Sequence, residues 1–356
     1  MPDDPASSSD NDPQAKLGFS RAYSLALAPH VIYTQSALLP ALVSSRCDAQ
    51  LEFLAVGSWF VYSKDTSSLT RVPSSREDIF GDDSIDARSK RSLMKFLRFI
   101  GDYENQESTW TEHKDVPFHQ FLSTQFKLPA EVQAPFVALT LSPYPPSKTS
   151  TAYALPRIAR HLRSMGLFGP GFSAVVPKWG GLAEIAQVGC RGGAVGGAVY
   201  MLGTGIGESV TNEISAEREL EKSEYKLSNG NVVKTAWTIG HDPAPAHHTD
   251  TPSIATSRSI TIVSTPLRSL FPPLGEGSPP PAVAVVVFPS STLGPEGHNE
   301  DEELPPVNVF IHSCETGECP AGQCKPQDPS SLSIFGKPFV ISMMINIHYL
   351  HCLQSL

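Results

Sequence analysis

Residues 179–200 read Trp179-Gly180-Gly181-Leu182-Ala183-Glu184-Ile185-Ala186-Gln187-Val188-Gly189-Cys190-Arg191-Gly192-Gly193-Ala194-Val195-Gly196-Gly197-Ala198-Val199-Tyr200. Small and apolar residues dominate, and the pattern predicts a helix from Gly180 that passes into a strand near Tyr200. Glu184 and Arg191 stand seven positions apart. That is two helical turns, so both fall on nearly one face. They are too far apart to pair with each other, which leaves each to meet a separate polar group of a partner or to be solvated.

Upstream, Tyr33 to Val43 reads as a helix, and Leu51 to Tyr62 (LEFLAVGSWFVY) as a strand rich in aromatic and β-branched residues. Gly81 to Ser84 offers a capping signal before Arg88 to Ile100, where Leu93, Phe96, Leu97 and Ile100 recur at helical spacing. The opposite face carries Arg88, Lys90, Arg91, Lys95 and Arg98, either a solvated cationic face or a docking surface. Phe118 to Phe126 and Ala130 to Ser142 are two more helices. Pro143 to Ser150 is a connector, and Tyr153 to Met165 a basic helix with Arg157, Arg160, His161 and Arg163. Downstream, Tyr225–Leu227 and Val232–Thr238 form a hairpin through Ser228-Asn229-Gly230-Asn231. Ser259–Ser264, Ala282–Phe288 and Val307–His312 are further strands. The expected fold class is α/β with an inserted all-helical second domain. The divisions are 1–16 disordered, 17–85 and 151–325 as the two parts of the α/β domain, 86–150 as the helical insert, and 326–356 as an atypical tail.

The chain has 356 residues, a net charge of -9, 18% charged residues and 32 prolines. An acidic balance argues against non-specific nucleic-acid binding, which needs cations to release phosphate counterions. The opening Met-Pro-Asp-Asp-Pro has no secretory character, and no window reaches the about 18 apolar residues of a membrane span. The expectation is a soluble cytosolic protein.

Few motifs suggest chemistry. Leu202 to Glu208 (LGTGIGE) has glycines, but the third comes one position early for a dinucleotide fingerprint and no helix pattern follows, so it reads as a turn. Cys314, Cys319 and Cys324 near His312 lack the second ligand pair that zinc sites favour, and read as reduced loop cysteines. His241, Asp242, His247, His248 and Asp250 lie in a Pro/Ala loop with no scaffold to fix ligands. Neither a nucleophile elbow nor a zincin helix occurs. No catalytic residue, no metal and no cofactor is expected.

The block from Trp179 to Gln187, continuing to Arg191 and Gly196–Tyr200, resembles the Rab escort protein and Rab GDP-dissociation-inhibitor superfamily. So do residues 20–46 (SRAYSLALAPHVIYTQSALLPALVSSR), 51–62 and 88–104 (RSKRSLMKFLRFIGDYE). The resemblance runs from about residue 17 to 325. The Ser/Pro-rich loops and HSCETGECPAGQC at 312–324 are similar to escort proteins of the fungal type. It implies a flavin-monooxygenase-like (FAD/NAD(P)-binding-like) domain without bound flavin, carrying a helical insert. It further implies a non-catalytic accessory of the Rab geranylgeranyltransferase α/β heterodimer. Such a protein binds GDP-loaded Rab GTPases, presents them for prenylation, holds the geranylgeranyl lipid and contacts membranes transiently. By resemblance, Glu184, Gln187 and Arg191 fall on the Rab-binding platform, and Arg157, Arg160 and Arg163 on a mobile region near the Rab C-terminus. Leu93, Phe96, Leu97 and Phe136 either line the lipid groove or pack the core, and Phe118 aligns with the aromatic that docks on the transferase. The family's N-terminal glycine-rich turn is not seen before Lys16, and the last residues from Pro326 resemble nothing in it. The alternatives are a flavin-dependent oxidoreductase of the same fold and a plain Rab GDP-dissociation inhibitor.

Overall fold

Alternation along two strands decides how the sheet is covered. The computed structural model describes residues 19–27, 29–74, 76–83, 85–210, 223–237, 256–263, 267–275, 277–293, 303–319 and 339–346. Its strands are β1 (Ile32–Tyr33), β2 (Phe53–Ser63), β3 (Ser68–Arg71), β4 (Ala174–Pro177), β5 (Ile206–Val210), β6 (Ser223–Leu227), β7 (Val232–Thr235), β8 (Thr256–Val263), β9 (Val283–Phe288), β10 (Val307–His312) and β11 (Phe339–Asn346). Its helices are α1 (Leu38–Ser44), α2 (Arg76–Gly81), α3 (Ala87–Gly101), α4 (Glu107–Trp110), α5 (Phe118–Phe126), α6 (Ala130–Leu139), α7 (Thr151–Ser164) and α8 (Leu182–Val195). Two compact units divide the chain: Met1–Val188 with Ile254–Leu356, and Gly189–Ser253.

The first unit holds a mixed sheet in the order β1-β4-β2-β9-β10-β11-β8, with β3 paired to β2. β2 and β9 run parallel and the other pairs antiparallel. Side chains alternate across a strand. Accordingly Val56, Trp59, Val61, Val283, Val285, Val287 and Phe310 join one core, and Phe60, Ala284, Val286, Val307, Val309 and Ile311 join another with Leu270 and Phe271. The first core also takes in α3, α5, α6 and α7 through Leu93, Phe96, Phe99, Phe118, Phe121, Phe126, Phe136, Leu155 and Ile158. The helices at 87–164 therefore share a core with the sheet. The Phe96 ring lies 5.1 Å from Phe136, 5.3 Å from Phe126 and 6.3 Å from Phe118, centroid to centroid. Truncating such a ring to alanine costs about 3–5 kcal/mol.

Helix starts follow capping chemistry. Asp86 Oδ1 accepts from Ser89 N at 2.5 Å before α3, and hydrogen bonds from Ser89 hold the Asp86 carboxyl below its ordinary range. Ser150 Oγ accepts from Tyr153 N at 3.3 Å before α7. Other elements depart from the sequence reading. The stretch expected as a helix from Tyr33 starts as strand β1 and becomes helical only at Leu38. Within the atypical tail, β11 pairs with both β10 and β8. Asp242 to Pro252 and residues 1–16 lie outside the described residues.

The second unit contains the antiparallel sheet β5-β6-β7. The Ser228–Asn231 turn joins β6 to β7 as its sequence predicts, with Gly230 at φ 87°.

His161, on α7, is 2% exposed in the core, edge-on to Trp59 (5.0 Å) and Tyr33 (5.8 Å). Its Nδ1 lies 3.3 Å from Ser173 Oγ. Burial disfavours the imidazolium and pushes the His161 pKa down to about 4. The unfolded chain takes up this proton near its ordinary pKa of about 6.5. The stabilising neutral state is thus fully present above that pH and is lost as pH falls toward 4. Between pH 7.5 and 4.5, urea unfolding of the wild type should lose roughly 2–3 kcal/mol relative to His161→Phe. Parallel pH profiles for the two proteins would remove His161 as the cause.

Candidate functional site

Three consecutive residues with positive φ launch α8: Trp179 (72°), Gly180 (133°) and Gly181 (66°). Glycine adopts this region at little cost, whereas tryptophan does not. Trp179 is held there by donating its N–H to Thr316 O at 2.7 Å. Thr316 belongs to a tight turn after β10, capped by Ser313 Oγ, which accepts from Glu315 N at 3.3 Å. The next residue, Gly317, has φ 77°, and a Cβ there would fall on the Trp179 indole. On the other side Lys178 lies 4.9 Å from the Trp179 ring centroid and pairs with Glu52 at 2.8 Å. Ser24 N donates to Glu318 O at 3.0 Å, tying a third segment to the same turn.

On α8, Glu184 is half-buried and its Oε1 accepts from Gln187 Nε2 at 3.1 Å. Gln187 and Arg191 are exposed. Glu184 and Gln187 belong to the first unit and Arg191 to the second, because the division falls within α8. The helix ends at Val195, and the strand expected near Tyr200 does not form. Gly196 N donates to Gly192 O (3.1 Å), Gly197 N to Ala194 O (3.0 Å) and Ala198 N to Gly193 O (2.9 Å), with Gly197 at φ 89°. This left-handed stop reverses the chain, and the Tyr200 hydroxyl comes back over Gly193, where a Cβ would collide with it. Tyr200, Met201 and Leu202 are exposed in the second unit. These apolar residues escaped the sequence reading, which assigned them to a strand. The Gly196-Gly197 pair was the available signal.

Arg157, Arg160 and Arg163 are all exposed on α7. Arg163 pairs with Glu104 at 2.5 Å, which holds the Glu104 carboxyl low, and Arg157 stacks 3.5 Å from the Tyr153 ring centroid. The lipid-groove candidates are mostly enclosed: Leu93, Phe96 and Phe136 are buried in the core, and Leu97 is half-buried against it. Phe118 is 1% exposed and packs on Phe96 and Phe121, so its ring has no surface to offer a docking partner in this conformation.

His312 Nδ1 lies 3.2 Å from Glu318 Oε2, in ion-pair range but not aligned as a hydrogen bond, and both side chains are buried. Cys314 and Cys319 are buried beside them. Burial, and then the Glu318 carboxylate and Cys314, push the Cys319 thiol up to about 11, so it is a protonated structural thiol. Cys324, His241, Asp242, His247, His248 and Asp250 lie outside the described residues. Among the described residues, no cluster of three or more His, Cys, Asp or Glu is placed to hold a metal ion, and no helix is long and apolar enough to cross a membrane. The glycine-rich run at 202–208 turns at Leu202 and Gly203 and enters β5 at Ile206, with Gly205 N donating to Ser228 Oγ at 2.9 Å.

Residues 6–270 match the sequence model of the GDP dissociation inhibitor family. The chain belongs to that family. It is 28% identical over 304 residues to "Rab proteins geranylgeranyltransferase component A" of Saccharomyces cerevisiae, covering 85% of this chain and 47% of that protein. It is also 28% identical to the protein of the same name from Candida albicans, over 85% of this chain and 46% of that one. "Rab escort protein 1" of Arabidopsis thaliana is 24% identical over 85% of this chain and 56% of its own length. The chain thus spans about half the length of the relatives it matches. The fold is similar to that of a Rab GDP-dissociation inhibitor from Plasmodium falciparum, with a TM-score of 0.60 at 16% identity, over 97% of this chain and 72% of that structure. The mixed α/β architecture expected from the resemblance is therefore that of the GDP dissociation inhibitor fold.

Because the Gly317 position faces the indole, Gly317→Ala should displace Trp179 and destabilise the protein by roughly 1–3 kcal/mol. Denaturant unfolding followed by tryptophan emission measures this, and unchanged stability and emission would show that the turn does not hold Trp179.

Proposed function

We propose that this chain is a non-catalytic Rab-binding protein of the escort type. It receives GDP-loaded Rab GTPases, presents them to the geranylgeranyltransferase heterodimer and carries the prenylated product to membranes. The observation that carries this reading is the family match over residues 6–270, which includes the α8 block with Glu184, Gln187 and Arg191. The names of the relatives, components of a Rab geranylgeranyltransferase, favour the escort role over a flavin-dependent oxidoreductase.

Binding needs polar groups that a GTPase surface can pair and an apolar area that it can bury. Arg191 would supply the first, and the exposed Tyr200, Met201 and Leu202 the second. Holding the guanine nucleotide in place requires no bond chemistry from the carrier, only contacts made better with the GDP form than with the alternatives. A C20 lipid in water is costly at about 0.8 kcal/mol per CH2. Leu97, at the margin of the phenylalanine cluster, would be the first lipid contact. Leu93, Phe96 and Phe136 would follow only after α3 parts from α6. With Phe118 enclosed, transferase contact falls instead to the exposed cationic face of α3, which carries Arg88, Arg91, Lys95 and Arg98 and no acid between Ala87 and Gly101.

Titrating a GDP-loaded Rab with the purified chain should give saturable binding, weakened roughly tenfold or more by Arg191→Ala, since arginine is enriched among the few interface residues whose truncation costs about 2 kcal/mol or more. Equal affinity of a folded Arg191→Ala protein would contradict the placement of the Rab surface. A plain inhibitor, as opposed to an escort, would bind Rab equally and fail to bind the transferase. Loss of transferase binding in Arg91→Glu with Rab binding intact would support the escort reading.

A further inference from the structure

Between the short turn at Arg268–Leu270 and β9, residues 271–281 read Phe-Pro-Pro-Leu-Gly-Glu-Gly-Ser-Pro-Pro-Pro. Two close approaches pin this loop. A Cβ on Gly171 would lie 2.8 Å from Leu274 O, and one on Gly57 would fall on the Pro281 ring. Between these anchors Gly277 (φ 74°) turns the backbone in open space, and Gly277, Pro279 and Pro280 are exposed. Ser278 stands at this tip. Its Oγ accepts from Gly275 N at 2.9 Å and donates to Gly275 O at 2.8 Å, so both bonds stay within the tip. Pro279 holds the serine backbone extended, and a proline run has no internal hydrogen bonds to break. Among the described residues Ser142-Pro143 is the other Ser-Pro or Thr-Pro pair. Ser142 is 4% exposed, and its hydroxyl is bound to Thr149 Oγ1 at 2.7 Å. Thr251-Pro252 and Thr265-Pro266 lie outside the described residues.

We propose that Ser278 is an acceptor site for a proline-directed protein kinase, and that Arg268 holds the phosphate so formed. Ser278 lines a cavity of about 830 Å³ whose walls include Phe53, Phe172 and Phe271. Arg268 is exposed and is the one cation lining that cavity among the described residues, where no ion pair occupies it. In the transfer, Ser278 Oγ forms a bond to the γ-phosphorus of ATP as the bond from that phosphorus to the β,γ-bridging oxygen breaks. The electron pair leaves with ADP, and the hydroxyl proton passes to the carboxylate base of the kinase. The phosphoserine then carries about -1.5 to -2 charges and three acceptor oxygens. A guanidinium matches such oxygens with two parallel N–H donors. Glu315 lines the same cavity and repels the new charge, which directs the phosphate to Arg268. The modification goes beyond Rab binding, and its test uses no Rab, so failure of either idea leaves the other standing.

The test treats the folded full chain with a mitogen-activated protein kinase and Mg-ATP, and locates phosphate by fragment mass spectrometry. Ser278 should be modified roughly tenfold or more faster than Ser142, whose burial demands local opening first. Phosphorus NMR, with the Ser278→Ala spectrum identifying the signal, should follow the second ionisation of the phosphoserine. A neighbouring cation favours the dianion, so this pKa should lie about half a unit lower than in Arg268→Gln. Arg268 is exposed, and the variant should keep the wild-type unfolding curve. A folded chain that leaves Ser278 unmodified would overturn the inference, as would equal modification of Ser142. Identical phosphate titrations with and without Arg268 would overturn the pairing.

Discussion

The parallel contact between β2 and β9 constrains everything else in the first unit. Parallel neighbours cannot be joined by a short turn, so the chain must leave the end of β2 and return to the start of β9. Val56 pairs with Val283 and Trp59 with Val285, and the valines at 56, 283 and 285 are completely removed from solvent. That apolar face needs a cover, and α3, α5, α6 and α7, which lie between the two strands in sequence, provide it. His161 sits in this seam as a neutral imidazole among aromatic rings. The connection also delivers β4 against β2, and β4 leads directly into the Trp179–Gly181 turn that starts α8.

Charge is arranged as unevenly as apolar surface. The chain is acidic, yet α3 and α7 contain no Asp or Glu, and each shows arginines on its outer side. α3 buries Leu93, Phe96, Phe99 and Ile100, and α7 buries Ala154, Leu155, Ile158 and Ala159, so their cations are confined to what remains outside.

Much of this was legible before any coordinates. Leu51 to Tyr62, Arg88 to Ile100, Phe118 to Phe126 and Val307 to His312 have clean periodicities, and each became the element its pattern names. The Ser228–Asn231 turn did as well, because αL geometry selects asparagine and glycine. What the sequence hid were decisions made by tertiary contacts. Phe118 opens a helix like a surface aromatic, but the rings of Phe96 and Phe121 claim it. Tyr200 follows a β-like run, but the Gly196-Gly197 stop turns it back onto the helix. The helical segment carries enough apolar residues for its own core, and only the pairing of β2 with β9 shows that the core is shared. For the site, the Trp-Gly-Gly entry and the Glu184 to Arg191 spacing were visible, whereas the turn at Cys314–Gly317 that holds Trp179 lies far away in sequence.

The central claim is that this chain acts on the nucleotide state of Rab GTPases as a GDP-retaining partner. The most direct measurement is the rate at which a Rab loaded with fluorescent GDP releases it into excess unlabelled nucleotide, with and without a saturating amount of the chain. The account predicts that release slows several-fold. It also predicts that the Arg191→Ala protein, at the same concentration, slows it less. A release rate that stays the same when a folded chain is added in excess would contradict the account.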